Sequence, residues 1–327
     1  MRSSWVLFAG WVILAGCNVP GTWKDETIDL DIQSEIGKLN LQIIQGFVTH
    51  DPEKIRALGS EKLCNDQKNE VWELVSRVDK AWDSAKFKIK NQFYVVLAPA
   101  VEDVQIMTGL SGDHDYAIHF PPAGSEAFVT VGYFEDSMEA IALTTIYTKV
   151  GDQWKLDLIQ VGLLEILGSD AFDWYWKAKE NMRKGFIVDA VSSLTLSSRC
   201  MKPANQFWNY QKEREIGNFR ATVQKEIDKT FTFPLAVNGV PSKPQIFKIF
   251  PQAMNNGYYP SIFYNTHLNI NDTTALSNEC NEIHRRIGDV FKGLDKNNAY
   301  ILYRAFENST PGRESAKSYG FIRKVEK

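Results

Sequence analysis

Four side chains able to hold or move a proton fall within seven residues of this chain: Asp113, His114, Asp115 and His119. A carboxylate beside an imidazole is the pairing general acid–base chemistry uses, one group taking the proton while the other orients it. The same residue types also ligate metals. Spacing narrows the choice. Alternate residues of a strand share a face, so Asp115 and His119 project together with Ala117 between them, and these two are the pocket candidates. Gly112-Asp113 reads as the turn before that strand, where aspartate satisfies local amides. The expectation is a polar turn entering a strand, with no catalytic residue assigned and no metal site. The cysteines Cys17, Cys64, Cys200 and Cys280 lack the close pairs of a zinc centre. HExxH, GxSxG, phosphate-loop and dinucleotide patterns are all absent from the sequence, so no cofactor is expected.

Two further clusters have a chemical and a plain reading. Phe172 with Trp174-Tyr175-Trp176 suits a sugar-stacking platform, but aromatics at helical spacing more often anchor a helix to a sheet, and core packing is expected. Arg285, Arg286, Arg304, Arg313, Lys317, Arg323 and Lys324 make the C-terminal end mildly basic. Interspersed Glu282, Asp289, Asp295 and Glu307 make that a solvated charge set. The formal charge of −3 argues against a general nucleic-acid partner.

The remaining cysteine with a chemical reading is Cys17. Arg2 precedes the apolar run Trp5–Ile13, and Leu14-Ala15-Gly16-Cys17 follows. A basic start, an apolar segment of roughly 7–15 residues and small residues before a cleavage point make a secretory leader. Pro20, Gly21, Lys24, Asp25 and Glu26 follow too soon for a lasting span, which needs about 20 apolar residues. Leu14-Ala15-Gly16-Cys17 resembles the lipobox of bacterial lipoproteins. That resemblance implies cleavage before Cys17, diacylglycerol on its thiol and an acylated, typically palmitoylated, amino terminus. Asn18, in place of an aspartate, implies the outer membrane. Residues 1–16 are then the leader and 17–34 a polar tether, with Cys64, Cys200 and Cys280 left for at most one disulfide.

The elements that must position any chemistry follow from periodicity. Ile36, Leu39, Ile43, Ile44 and Phe47 recur at helical steps. Asp51-Pro52-Glu53 opens a second helix, and Gln67–Ser84 a third, with Val71, Leu74, Val75, Val78 and Trp82 inward. Phe87, Ile89, Phe93, Val95 and Leu97 alternate as a strand. Further strands are expected at Tyr116–Phe120, Ala127–Phe134, Ala140–Val150 and Trp154–Leu164, with Gly151-Asp152 a hairpin turn. Asp170–Pro203 reads as a helical hairpin and Phe207–Phe231 as another helix. After it come strands near Leu235–Val237, Gln245–Phe250 and Ser261–Leu268, a helix over Asp272–Lys292, and strands at Ala299–Phe306 and Tyr319–Val325.

The order of elements from Glu35 to Leu167, with Tyr147–Leu156 as its closing hairpin, resembles the nuclear-transport-factor-two-like superfamily, which includes SnoaL-like proteins. The resemblance implies helices on a curved, cone-like antiparallel sheet and transfers no catalytic residue. The fold class is therefore α+β: a cone-like domain at 35–167, a helical region at 168–231 and a small second α+β domain at 232–327. The leading expectation is an envelope-anchored, non-catalytic lipoprotein that touches the membrane through its lipid and binds a ligand or an envelope protein. A tethered pocket enzyme, hydrolase or isomerase, built on Asp115 or His119 is the alternative. A third is an assembly factor docking through the Asp170–Pro203 helices, which predicts an apolar groove there.

Overall fold

The computed structural model describes residues 19–65, 70–77, 84–136, 138–307 and 317–326. Cys17 and its leader, Val78, Trp82 and Arg313 lie outside the described residues. The fold is α+β, with three open sheets among the described residues.

The first strand, β1 (Gly21–Lys24), pairs antiparallel with β2 (Phe87–Val96), setting Trp23 opposite Tyr94. Helix α1 (Leu30–Val48) begins where the Asp29 carboxylate accepts the Asp31 amide. The stretch expected as a tether is thus built into the fold from Gly21 onward. Its local composition is polar, but an edge strand takes its hydrogen bonds from a neighbour and needs no apolar run of its own. Helix α1 buries Ile36, Ile43, Ile44 and Phe47 on one face. Asn40 sits among them, 3% exposed. Its amide donates to Thr130 Oγ1 (3.1 Å), and its carbonyl accepts from Thr145 Oγ1 (3.0 Å) and Tyr147 OH (2.8 Å). A polar group removed from water is tolerated when its nitrogen and oxygen both find partners, as those of Asn40 do.

Short helices α2 (Pro52–Arg56), α3 (Glu61–Asn65) and α4 (Glu70–Arg77) complete that layer. Asp51 caps α2 through the Glu53 and Lys54 amides with Pro52 in the first turn, as predicted. Val71, Trp72 and Val75 of α4 are buried.

Strands β3 (Val104–Met107) and β4 (Tyr116–Phe120) belong to a separate sheet; the later strands of the main sheet are β5 (Glu126–Glu135), β6 (Glu139–Val150) and β7 (Gln153–Ile166), in the order β1-β2-β5-β6-β7. Gly151, at φ +60°, makes the β6–β7 turn where the sequence places it. One face packs on α1–α4 through Phe128, Leu143, Tyr147, Trp154 and Leu156. The opposite face carries Phe93, Val95, Val129, Val131 and Ile146 into a second core. The predicted alternation along β2 breaks at a bulge between Ile89 and Asn91. An inserted residue reverses side-chain parity, so Phe87 faces the helices while Phe93 and Val95 face away. Ile89 is left 52% exposed.

The second core is closed by the helical hairpin α5 (Ala171–Arg183) and α6 (Ile187–Arg199) and by a small sheet in the order β3-β4-β8, where β8 is Trp208–Tyr210. Trp208 stacks on Tyr116 with ring centroids 3.7 Å apart. Residues 208–210 therefore form a strand inside the stretch expected as helix; α7 (Glu213–Thr230) starts after it. Three residues carry too little pattern to show, and their strand state comes from pairing Tyr210 with Tyr116 and Trp208 with Ile118.

The C-terminal unit contains β9 (Leu235–Ala236), β10 (Gln245–Met254), β11 (Gly257–Thr266), α8 (Thr273–Val290), α9 (Leu294–Asn297), β12 (Tyr300–Glu307) and β13 (Ser318–Lys324). Its sheet order is β13-β12-β11-β10-β9. Strands β11 and β12 run parallel because α8 carries the chain back across the sheet. Helix α8 buries Leu276, Cys280, Ile283 and Ile287 against it. Helix α6 joins the units. Asp189 accepts from Asn297 and Asn298, and Arg199 binds both Glu139 of β6 and the Tyr258 hydroxyl of β11. No helix among the described residues is long and apolar enough to cross a membrane.

Candidate functional site

The loop between β3 and β4 carries the acid–base cluster and docks on the start of α5. Asp113 accepts from Trp176 Nε1 (3.0 Å) and from Lys212 Nζ (2.5 Å), tying the loop to α5 and to the residue preceding α7. The Lys212 ammonium holds the Asp113 carboxyl below the usual aspartate range, helped by the Trp176 bond. His114 Nδ1 lies 2.7 Å from Asp170 Oδ2, and its Nε2 lies 4.0 Å from Asp173 Oδ1. Partial burial works against the charged ring, but Asp170 and then Asp173 outweigh it, and the pKa is raised above 6.5.

The ligand atoms of His114, Asp170 and Asp173 lie within 4.8 Å of one another. Both carboxylates are already employed by the helix. Asp170 Oδ1 accepts the Phe172 and Asp173 amides, and Asp173 Oδ2 accepts the Asp170 amide, a reciprocal capping box. The His114 imidazole is thus the third member of a helix cap. It completes the latch that fixes the loop to α5.

Asp115 has a different task. Its carboxylate accepts the Gly112 amide (2.7 Å) and the Thr108 hydroxyl (3.3 Å), folding the loop on itself. His119 stands at the far end of β4, its Nδ1 4.0 Å from the exposed Asp103. Asp115 precedes β4 and belongs to the loop, whereas His119 lies within the strand. Four steps of extended chain separate them by about 13 Å, and each has its own partners. The structure does not bring them together. Of the aromatic run, Phe172, Trp174 and Tyr175 are buried as expected, while Trp176 is 44% exposed and serves Asp113. The α5–α6 hairpin spends Ala178, Leu194 and Leu196 inside the second core and Val188 in the C-terminal one.

Sequence reasoning missed a second feature of the same domain. An open cleft of about 640 Å³ lies between β1, β2 and the start of α1, bordered by Trp23, Tyr94, Asp29, Leu30 and Asp31. Trp23 and Tyr94 form its aromatic wall, with centroids 5.4 Å apart and planes inclined by 30°. The Tyr94 hydroxyl donates to Glu126 Oε2 (2.7 Å). Burial, reinforced by that carboxylate, raises the Tyr94 pKa well above the ordinary phenol value. A lone tryptophan in a stretch otherwise too polar to pack was the available signal.

Cys64, Cys200 and Cys280 are free thiols; Cys64 is exposed and the others are buried. Burial pushes the thiols of Cys200 and Cys280 up to about 12, which removes them from thiolate chemistry. No protein-family model, curated protein or solved structure matches this chain.

Proposed function

We propose that this chain is an envelope lipoprotein, anchored through acylated Cys17, whose folded body binds a ligand or partner without performing catalysis on it. One observation carries the reading: the chain joins the main sheet at Gly21, four residues after Cys17. Four extended residues reach about 13 Å, so a lipid on Cys17 would hold β1 and the adjoining cleft at the bilayer surface. Two or more acyl chains give stable attachment, at about 0.8 kcal/mol per buried methylene. Asn18 supports outer-membrane residence.

The acid–base side chains support binding over catalysis, because Asp113, His114 and Asp115 are committed to holding the β3–β4 loop. The likeness to the nuclear-transport-factor-two-like superfamily stays part of the proposal. Helices α1–α4 on one face of an antiparallel sheet ending in the β6–β7 hairpin support it. The space beneath α1 is filled by Phe47, Phe128, Tyr147 and the Asn40 network.

The test is affinity capture from detergent-solubilised envelope, comparing the natural chain with Cys17→Ser. A partner recovered with the natural chain and lost with the variant supports anchored binding. Equal recovery, with both forms in the soluble fraction, contradicts it.

A further inference from the structure

The cleft bordered by Trp23 and Tyr94 has a charge and shape that select a class of ligand. Its two carboxylate border residues, Asp29 and Asp31, are both exposed. The start of α1 contributes about half a positive charge. Two carboxylates exceed that, so the cleft is net negative. Lys24, the neighbour of Trp23 in β1, projects to the opposite side of the sheet, over the Phe93 ring and toward the Thr108 carbonyl. Lys149 is held by Glu126 and sits 5.7 Å from the Trp154 ring centroid. That ring is in edge contact with Tyr94. The aromatic cluster behind the cleft therefore already receives one ammonium group from within the chain.

We infer that the Trp23–Tyr94 cleft is a binding site for an organic ammonium group. Aromatic faces attract ammonium cations through the ring quadrupole, tryptophan and tyrosine most strongly. Tyr94 is improved for this task because its hydroxyl donates to Glu126, which makes the ring more electron-rich. Asp29 and Asp31 supply the opposing charge at the rim, and the exposed Leu30 side chain offers an apolar contact for the carbons next to nitrogen. A volume of about 640 Å³ accommodates a headgroup. A lipid amine headgroup presents this chemistry. The inference does not require acylation of Cys17.

The test is calorimetric titration of the full chain with choline and with the neutral isostere in which carbon replaces the quaternary nitrogen. Choline is expected to bind in the millimolar range and the isostere at least about tenfold more weakly. Asp29→Asn with Asp31→Asn removes both charges while asparagine retains the helix cap, and should weaken choline binding about tenfold as well. Trp23→Leu should abolish it. The paired Asp variants keep the test decisive if Trp23→Leu does not fold. Equal binding of choline and its isostere, no saturation by either, or choline binding indifferent to the Asp changes would overturn the inference. Ethanolamine should bind more tightly than an Nα-blocked lysine amide; the reverse order would assign the cleft to a protein lysine and overturn the lipid assignment.

Discussion

Replacing Asn40 with leucine isolates what holds α1 to the sheet. Leucine has similar volume, so the change removes polar satisfaction more than packing. Thr145 and Tyr147 would lose the carbonyl that accepts their hydroxyls, and Thr130 would lose its amide donor. All three side chains are at most 1% exposed, so water cannot replace the lost partner. An orphaned buried group costs about 1–3 kcal/mol. With some relaxation among the three hydroxyls, the sum for Asn40→Leu is about 3–5 kcal/mol, a large part of the roughly 5–15 kcal/mol that holds a domain together. The second variant makes the reasoning sharp. Tyr147→Phe alone removes one hydrogen bond and should cost about 1 kcal/mol. In the Asn40→Leu background it removes an orphan instead, and should cost nothing or restore about 1 kcal/mol. Urea unfolding of the four proteins, followed by circular dichroism with slopes compared, measures the cycle. A Tyr147→Phe cost that is identical in both backgrounds would refute the network account.

Three other perturbations follow from the same structure. His114 has a pKa raised above 6.5 in the fold, so its latch is fully formed below that value and is lost as pH rises through the folded pKa. His114→Gln should lower thermal stability at about pH 5.5 and have little effect at about pH 9. The side chain is 57% exposed, which limits the loss to about 0.2–1 kcal/mol; a loss that grows with pH would contradict the assignment. Among Cys64, Cys200 and Cys280, an aromatic disulfide reagent should label only Cys64 in the native protein, the buried pair reacting after denaturation; rapid native labelling of Cys200 or Cys280 would contradict their burial. A methyl group on Gly162 would meet the Pro203 carbonyl oxygen at 2.4 Å. Gly162→Ala should therefore destabilise by about 1–3 kcal/mol in the same urea assay, and an unchanged midpoint would show that 203 can move aside.

Much of this architecture was legible because its signals are local. The heptad-like spacing from Ile36 to Phe47 marks α1, Asp51-Pro52 marks α2, and Gly151-Asp152 marks the β6–β7 turn. What stayed hidden depends on distant partners. β1 has a single large apolar residue, Trp23, and exists because β2 offers an edge. β8 is three residues long and exists because β4 does. Parity along β2 looks regular until the bulge at Ile89 reverses it, an event set by the pairing with β5.

The candidate site divides the same way. Strand alternation set Asp115 and His119 on one face by starting the strand at 115, a residue the structure leaves in the loop. It held no information about Asp170, Lys212 or Trp176, which come from 50 to 100 residues away and turn the Asp113–Asp115 cluster into a latch. The Trp23–Tyr94 cleft was invisible for the converse reason: its two rings are 71 positions apart, and the first stands in a stretch whose composition suggests no structure.

The central claim is that the body is held at a lipid surface through Cys17, and intact-mass spectrometry of the protein purified from its native membrane tests it most directly. The account predicts a mature chain that begins at Cys17 and carries the added mass of diacylglycerol and an N-linked acyl chain. A product retaining residues 1–16, or one whose Cys17 is an unmodified thiol, would contradict it.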